Sequence, residues 1–397
     1  MENPSEIKRS WALQAGWQTG RTVINKLTPP AFSKIAVNFV STWREQSVNL
    51  DWGSKDVNIV IPEGIRCLSA IYLEIDLPSA KYRKYPGLYC IKEFSLRSGG
   101  NIVYTCDYNQ FLADHCESMT QQKLNAFSRV YLGGNNDSTN AETRSVKLPL
   151  LLPNSTYMRR SGISTAGHGV FGAYTGNNRI ELSITMCNAL DSGLQAGDND
   201  PTSIAGSCRL MYHVVHPPNS LRQKYEDLRG FFNTVCRRFQ QLHSDWQHYP
   251  TAGVLVTDAL SQPSGVVTEV MILAVPHVDS ASDRRNHDYI KPIHFEVVHD
   301  MVIQKSLDSK NKVEVELYTN GFNAPDDFAS PGRLCFCSHA ATDSTVLYSG
   351  AYNMEQATSL QFRFKFDQEV DYRLVAVQYA NCKIRGDGIL TSTLDAA

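Results

Sequence analysis

The sequence predicts an all-β chain built as two tandem β-sandwich domains, with a helical arm in front and an amphipathic helix near the junction. Three observations carry this. At 397 residues the chain exceeds the size at which one hydrophobic core stops growing. Short β-rich segments bounded by Gly, Pro, Asn and Ser recur along most of it. A block of strands also repeats at a spacing close to half the chain length.

Residues 1–45 read as the helical arm. Leu13, Trp17, Gly20, Ile24 and Leu27 fall on one helical face, and Pro29-Pro30 stops the run. From about Gln46 the period becomes that of strands, and residues 46–218 form the first domain. Strands are expected at 57–62 and 67–78. A hairpin is expected over 90–107, with Ile91, Phe94 and Leu96 on one arm, Ile102, Val103 and Tyr104 on the other, and Ser98-Gly99-Gly100-Asn101 at the turn. A helical stretch at 109–128 and a polar loop at 133–143 follow, then strands at 146–153, 179–187 and 208–216.

Residues 219–249 read as a connecting amphipathic helix. Leu221, Tyr225, Leu228, Phe232, Val235, Phe239, Leu242 and Trp246 form its apolar stripe, and Ser220 with Gln223 makes a capping box. Residues 250–397 form the second domain, with strands at 253–257, 266–275, 290–305, 313–319, 333–339, 360–366 and 372–383.

The repeat ties the halves together. Ile91 to Tyr104 has a counterpart in Ile290 to Ile303, an offset of 199 (290 − 91), and at that offset residues 67–77 fall on 266–276. Residues 179–186 resemble 359–366, and 209–214 resemble 373–378, so order persists while spacing shortens. The first half carries the longer insert, 188–206. Sandwiches of many short strands are immunoglobulin-like or jelly-roll in topology.

Composition excludes several functions. With 38 basic and 40 acidic residues the chain has no global footprint for sequence-specific nucleic-acid binding. No apolar run approaches the roughly 20 residues a spanning helix needs. The polar first nine residues lack a secretory leader, which points to folding in cytosol or nucleus. None of the ten cysteines forms a CxxC pair; Cys335 and Cys337, two apart in a strand, read as buried thiols on one face.

Catalytic signatures are equally poor. Gly167 to Gly172 matches GxGxxG without the strand before and the helix after that a dinucleotide site needs. Gly162 to Ala166 misses a nucleophile elbow at its last residue. His213 with His216, and His294 with His299, have odd spacings that send side chains to opposite faces of a strand. Asp198-Asn199-Asp200 lacks the ordered spacing of a calcium loop. No residue is therefore assigned a catalytic, cofactor-binding or metal role. An enzyme on this scaffold would need three or more His or carboxylate side chains converging in a cleft, which no spacing reveals. The arm is different: Trp11 and Trp17 beside Lys8, Arg9 and Arg21 suit a helix on lipid headgroups, in a neighbouring subunit's groove, or folded back on its own domain.

The layout of arm, β-domain, connector and second β-domain resembles the double jelly-roll major capsid proteins of membrane-containing phages, virophages, polinton-like elements and the adenovirus lineage. The resemblance rests on the block 51–78 with Asn58-Ile59-Val60-Ile61-Pro62, and on the run Tyr372 to Ala380 followed by the polar tail Gly388 to Thr393. It implies two eight-stranded jelly rolls related by a pseudo-two-fold, and homotrimeric, pseudo-hexameric capsomers tiling an icosahedral shell. The implied partners are copies of itself, neighbouring capsomers, penton and minor capsid proteins and an internal lipid membrane. The implied location is the virion, assembled in host cytoplasm or nucleus, with no cofactor and no bond chemistry. The 26-residue stripe over 221–246 departs from the family's simple linker. A second class remains open, a lectin-like or receptor-binding sandwich using loops 133–143 and 161–178.

Overall fold

The structure, a computed structural model, describes residues 40–61, 68–108, 121–150, 180–188, 203–216, 233–259, 266–277, 289–319, 331–336, 352–354, 359–384 and 390–394. The first half contains β1 (Val40–Val48), β2 (Val57–Val60), β3 (Leu68–Ala80), β4 (Ile91–Ser98), β5 (Asn101–Asp107), α1 (Gln121–Tyr131), β6 (Glu142–Pro149), β7 (Ile180–Met186) and β8 (Cys208–His216). These strands make two four-stranded antiparallel sheets, ordered β1-β8-β3-β6 and β2-β7-β4-β5. We call them the outer-strand and hairpin sheets. The partners are first with eighth, second with seventh, third with sixth and fourth with fifth. That is one long hairpin wound around a sandwich, the jelly-roll topology.

Alternation in β3 shows why the sandwich closes. Ile71, Leu73, Ile75 and Leu77 are buried, packing in one core with Ile59, Phe94, Leu96, Leu182 and Ile184 of the hairpin sheet. Each such side chain contributes about 1.5–3 kcal/mol by leaving water.

The second half contains β9 (Asn233–Gln241), β10 (Gln247–Tyr249), β11 (Val256–Ala259), β12 (Val266–Pro276), β13 (His294–His299), β14 (Val302–Leu307), α2 (Lys310–Thr319), β15 (Gly332–Cys335), β16 (Tyr352–Asn353), β17 (Leu360–Lys365), β18 (Val370–Ile384) and β19 (Leu390–Leu394). The winding recurs: β10-β18-β12-β15 is the outer-strand sheet, extended by β9, β16 and β19, and β11-β17-β13-β14 is the hairpin sheet. Val270, Ile272 and Ala274 face Phe295, Val297, Phe362 and Phe364 in its core.

The strand registers define the duplication residue by residue. The row Val57–Ile184–Phe94–Cys106 matches Val256–Phe364–Phe295–Leu307, and Leu210–Leu73–Leu148 matches Leu374–Ile272–Gly332. The offset is 199 in β2 and β3 (256 − 57, 272 − 73), as expected for β3 from sequence. It is 180 in β7 (364 − 184) and 164 in β8 (374 − 210), the spacings at which the later segments resemble each other. In the β4–β5 hairpin it is 201 (295 − 94), not 199: the connection before the hairpin is two residues longer in the second half. Two β-bulges also recur, at Ser69 and Thr268 and at Leu96/Arg97 and Val297/Val298. Bulges are specific devices of strand geometry, so repeated bulges tie the halves more firmly than shared alternation does.

Several expectations need correction. The first strand begins at Val40, inside the segment assigned to the arm. The helix expected over 219–249 is contradicted from residue 233 onward: β9 pairs with β18 over nine positions, and β10 follows. Within β9 the stripe supplies only Val235 and Phe239, and a spacing of four keeps one face in a strand as well as in a helix, so this stretch alone does not separate the two. Residues 217–232 lie outside the described residues. The strand expected at 313–319 is the helix α2, in which Val313 and Leu317 are buried and Val315 is 60 % exposed. Odd positions Val313, Val315 and Leu317 mimic a strand, but only two of them meet the core. The helix expected at 109–128 is described over Gln121–Tyr131. Part of the expected polar tail is β19, folded back on β18.

Candidate functional site: the face between the two jelly rolls

The two sandwiches meet through different faces. On β12, Met271, Leu273 and Val275 point away from their own core and join the first half's cluster, together with Phe239, Val375 and Val377. Opposite them lies the outer face of the first hairpin sheet, where β5 packs near β9 and β19. There Ser95 and Ser183, small and cross-strand partners, are buried. Arg373 Nη1 reaches Asp107 Oδ2 at 3.9 Å across the junction. The contact is heterologous, outer-strand sheet on hairpin sheet, which differs from the pseudo-two-fold expectation because a two-fold buries the same patch on both partners.

The same covered face carries an ion pair. Arg333 Nη1 lies 3.1 Å from Glu269 Oε2, both side chains 0 % exposed. Arg333 stands opposite Met271, and Glu269 opposite Cys335, which packs against Leu317 of α2. Charges this deep are held by each other; removing either leaves its partner uncompensated.

Two further polar groups sit where the loops of the second sandwich gather. His243 Nε2 is 3.0 Å from Asp258 Oδ2, which also accepts a hydrogen bond from the Tyr372 hydroxyl at 2.8 Å. Burial alone would push the Asp258 carboxyl up, but the hydrogen bonds from His243 and Tyr372 outweigh it and hold the group below its ordinary value. The second group is His248 on β10, His277 just after β12, Glu369 just before β18 and Asp371 within it. Asp371 Oδ1 lies 3.3 Å from His248 Nδ1 and 2.9 Å from His277 Nδ1, and His248 Nε2 lies 3.3 Å from Glu369 Oε1. Sequence reasoning missed this convergence because its members come from three strands more than a hundred residues apart at the extremes; only Glu369-x-Asp371 has a local spacing.

The residues singled out from sequence fare differently. Lys8, Arg9, Trp11, Trp17 and Arg21 lie outside the described residues, as do loop 161–178, the glycine motif 167–172 and residues 198–200. His213 packs against Trp43 in a tilted arrangement with ring centroids 4.7 Å apart, and burial lowers its pKa. His294 pairs with Glu296, and His299 with Asp300. The polar loop at 133–143 is tied down: the Lys84 amide donates to Asp137 Oδ1, and Arg144 to the Asn136 carbonyl. Cys90, Cys187, Cys208 and Cys335 are buried, and burial first, then Asp51 and Asp76, push the Cys208 thiol up to about 12. Among the described residues no helix is long and apolar enough to cross a membrane.

Topology, register and the junction define a double jelly-roll protein. The chain matches no protein-family model and no curated protein by sequence. Solved structures similar to it include the Faustovirus major capsid protein, with 11% identity, TM-score 0.66, and coverage of 96% of this chain and 98% of that one. A quasi-atomic model of the PBCV-1 virus capsid aligns at 11% identity and TM-score 0.64 over 92% and 98% of the two chains. The mavirus major capsid protein aligns at 10% identity and TM-score 0.57 over 88% and 90%. At these identities the likeness is one of fold.

Proposed function

We propose that the chain is a major capsid protein, a virion component that assembles as homotrimeric, pseudo-hexameric capsomers of an icosahedral shell. The observation that carries this is the heterologous junction. A head-to-tail contact leaves one unused copy of each face, and repeated around an axis it closes a ring. The unused faces are the outer-strand sheet of the first sandwich and the hairpin sheet of the second.

On the first of these, Glu74 pairs with Lys147 and Arg209 at 3.3 Å, and Trp43 is 54 % exposed. On the second, Glu296 pairs with Arg363 at 3.4 Å and accepts a hydrogen bond from Ser306 at 3.1 Å. Ion pairs line both unused faces, whereas β12 brings Met271, Leu273 and Val275 to the junction inside the chain. Three chains would then repeat the same sheet-on-sheet contact between subunits as within them. Large obligate interfaces bury upward of about 2,000 Å².

The same reading assigns neighbouring capsomers, penton and minor capsid proteins as partners. It directs the arm, through Trp11, Trp17, Lys8, Arg9 and Arg21, to an internal membrane or an adjacent subunit. Light scattering on the purified chain tests the core claim. A stable trimer is expected, and Arg363→Glu is expected to weaken it while leaving the fold intact. A monomer that persists at high concentration would overturn the proposal.

A further inference from the structure

We infer that His248, His277 and Glu369 form a binding site for a divalent transition-metal ion of zinc's class, held in position by Asp371. One donor atom from each of the three ligands lies within 4.8 Å of the others. The inference does not rest on the capsid reading, since it concerns one end of the second sandwich alone.

The chemistry begins with Asp371, whose side chain is 1 % exposed. Its Oδ1 faces Nδ1 of both imidazoles, at 3.3 Å and 2.9 Å. A ring N–H donated there fixes each neutral histidine as the tautomer with its lone pair on Nε2. That is how a carboxylate behind a metal-binding histidine orients the ring and raises its basicity. The centroids of the two rings lie 4.1 Å apart, so both imidazoles border the same space.

Spacing and donor type then select the ion. Zinc bonds to nitrogen and oxygen are about 2.0–2.1 Å, so tetrahedral donors stand roughly 3.4 Å apart. His248 Nε2 and Glu369 Oε1 are already 3.3 Å apart. Two nitrogens and one carboxylate suit zinc, cobalt or nickel; calcium and magnesium prefer all-oxygen shells. The backbone is held by the sheet: His248 and Val275 both pair with Asp371, one on each side of β18. His248 is 42 % exposed, which leaves the fourth position to water or to a side chain of a neighbouring molecule.

The first sandwich serves as an internal control. Carrying the registers across places Pro78 at the position of His277 (277 − 199), Ser207 at that of Asp371 (371 − 164) and Ala205 at that of Glu369 (369 − 164). Asn49, next to Val48, stands where His248 does. The backbone is the same and the donors are gone, so the cluster is not a by-product of the fold.

The test is a titration of the chelator-treated full chain with zinc, and with cobalt for its visible absorption, alongside His248→Gln, Glu369→Gln and His277→Ala. The wild type is expected to bind one equivalent, with a tetrahedral cobalt spectrum and a rise in Tm on adding zinc. Each variant is expected to lose at least tenfold in affinity and the cobalt signal, at an unchanged metal-free Tm for the two exposed positions. Asp371→Asn is expected to weaken zinc ten- to hundredfold. Absence of saturable one-to-one binding by the wild type would overturn the assignment. So would zinc affinity and cobalt spectra that the His248→Gln and Glu369→Gln variants leave unchanged, since binding would then lie at other histidines or cysteines.

Discussion

Strand β3 of the first sandwich and β12 of the second occupy the same place, and their inward faces agree while their outward faces do not. Ile71, Leu73 and Ile75 correspond to Val270, Ile272 and Ala274, all buried in their own cores. Between them, Tyr72, Glu74 and Asp76 correspond to Met271, Leu273 and Val275. Alternation marks a sheet with one face in water, and a continuous apolar run marks a sheet covered on both. The difference says which sandwich presents its outer-strand sheet to the other, and therefore in which direction a ring would grow.

Exchanging residues across that correspondence should break the comparison most severely. Leu273→Glu places the first sandwich's residue on the covered face and buries an unpaired carboxylate, at a cost on the order of 5 kcal/mol. Since whole domains are stable by about 5–15 kcal/mol, little folded protein is expected. A variant with wild-type Tm would mean this face is not covered. The reverse exchange, Glu74→Leu, is expected to leave Tm almost unchanged and to raise self-association on gel filtration.

Next in size is the ion pair on the same face. Arg333→Ala is expected to cost about 3–5 kcal/mol in denaturant unfolding, with the paired replacement Arg333→Met, Glu269→Leu recovering most of it. If the double variant is as unstable as the single one, the pair does more than satisfy itself.

A smaller contrast lies in the second strands, where Asp258 stands at the position of Ile59 (258 − 199). Asp258→Ala is expected to cost about 2 kcal/mol at neutral pH through two lost hydrogen bonds to a charged group. Because the folded pKa lies below the ordinary value of 3.8, the carboxylate's contribution is present above that value and fades as pH falls through the folded pKa. The gap between wild type and variant should therefore close only in strong acid. A gap that narrows between pH 8 and 5 would contradict the assignment.

The smallest expected effect is at the hairpin tips. Gly99-Gly100 turns with both φ positive, and the equivalent Asp300-Met301 does the same at φ 46 and 67. Asp300 is anchored by the Ser359 amide, which donates to its Oδ1 at 2.7 Å. Met301 is 78 % exposed and carries the left-handed strain alone. Met301→Gly is expected to stabilise by about 1 kcal/mol, and Gly100→Ala to destabilise by a similar amount, both readable as Tm shifts.

Much of the architecture was legible in the chain because β-strands write their faces locally. The hairpin turn at Ser98 to Asn101, the strand at Cys208–His216 and the 199, 180 and 164 correspondences follow from a period of two and from turn residues. The same locality explains the errors. A spacing of four is one face in a strand and in a helix, so Val235 with Phe239 in β9 and Val313 with Leu317 in α2 fit both, and only pairing with β18 and contact with Cys335 decide.

What the sequence by itself determined is the two sandwiches and their duplicated register outside the β4–β5 hairpin, because burial of alternate side chains is a property of each strand. What only the tertiary structure decided is which faces meet and which polar groups converge. The junction, the Arg333–Glu269 pair and the His248, His277, Glu369 and Asp371 cluster each draw on strands remote in sequence, and sheet pairing alone brings them within reach of one another.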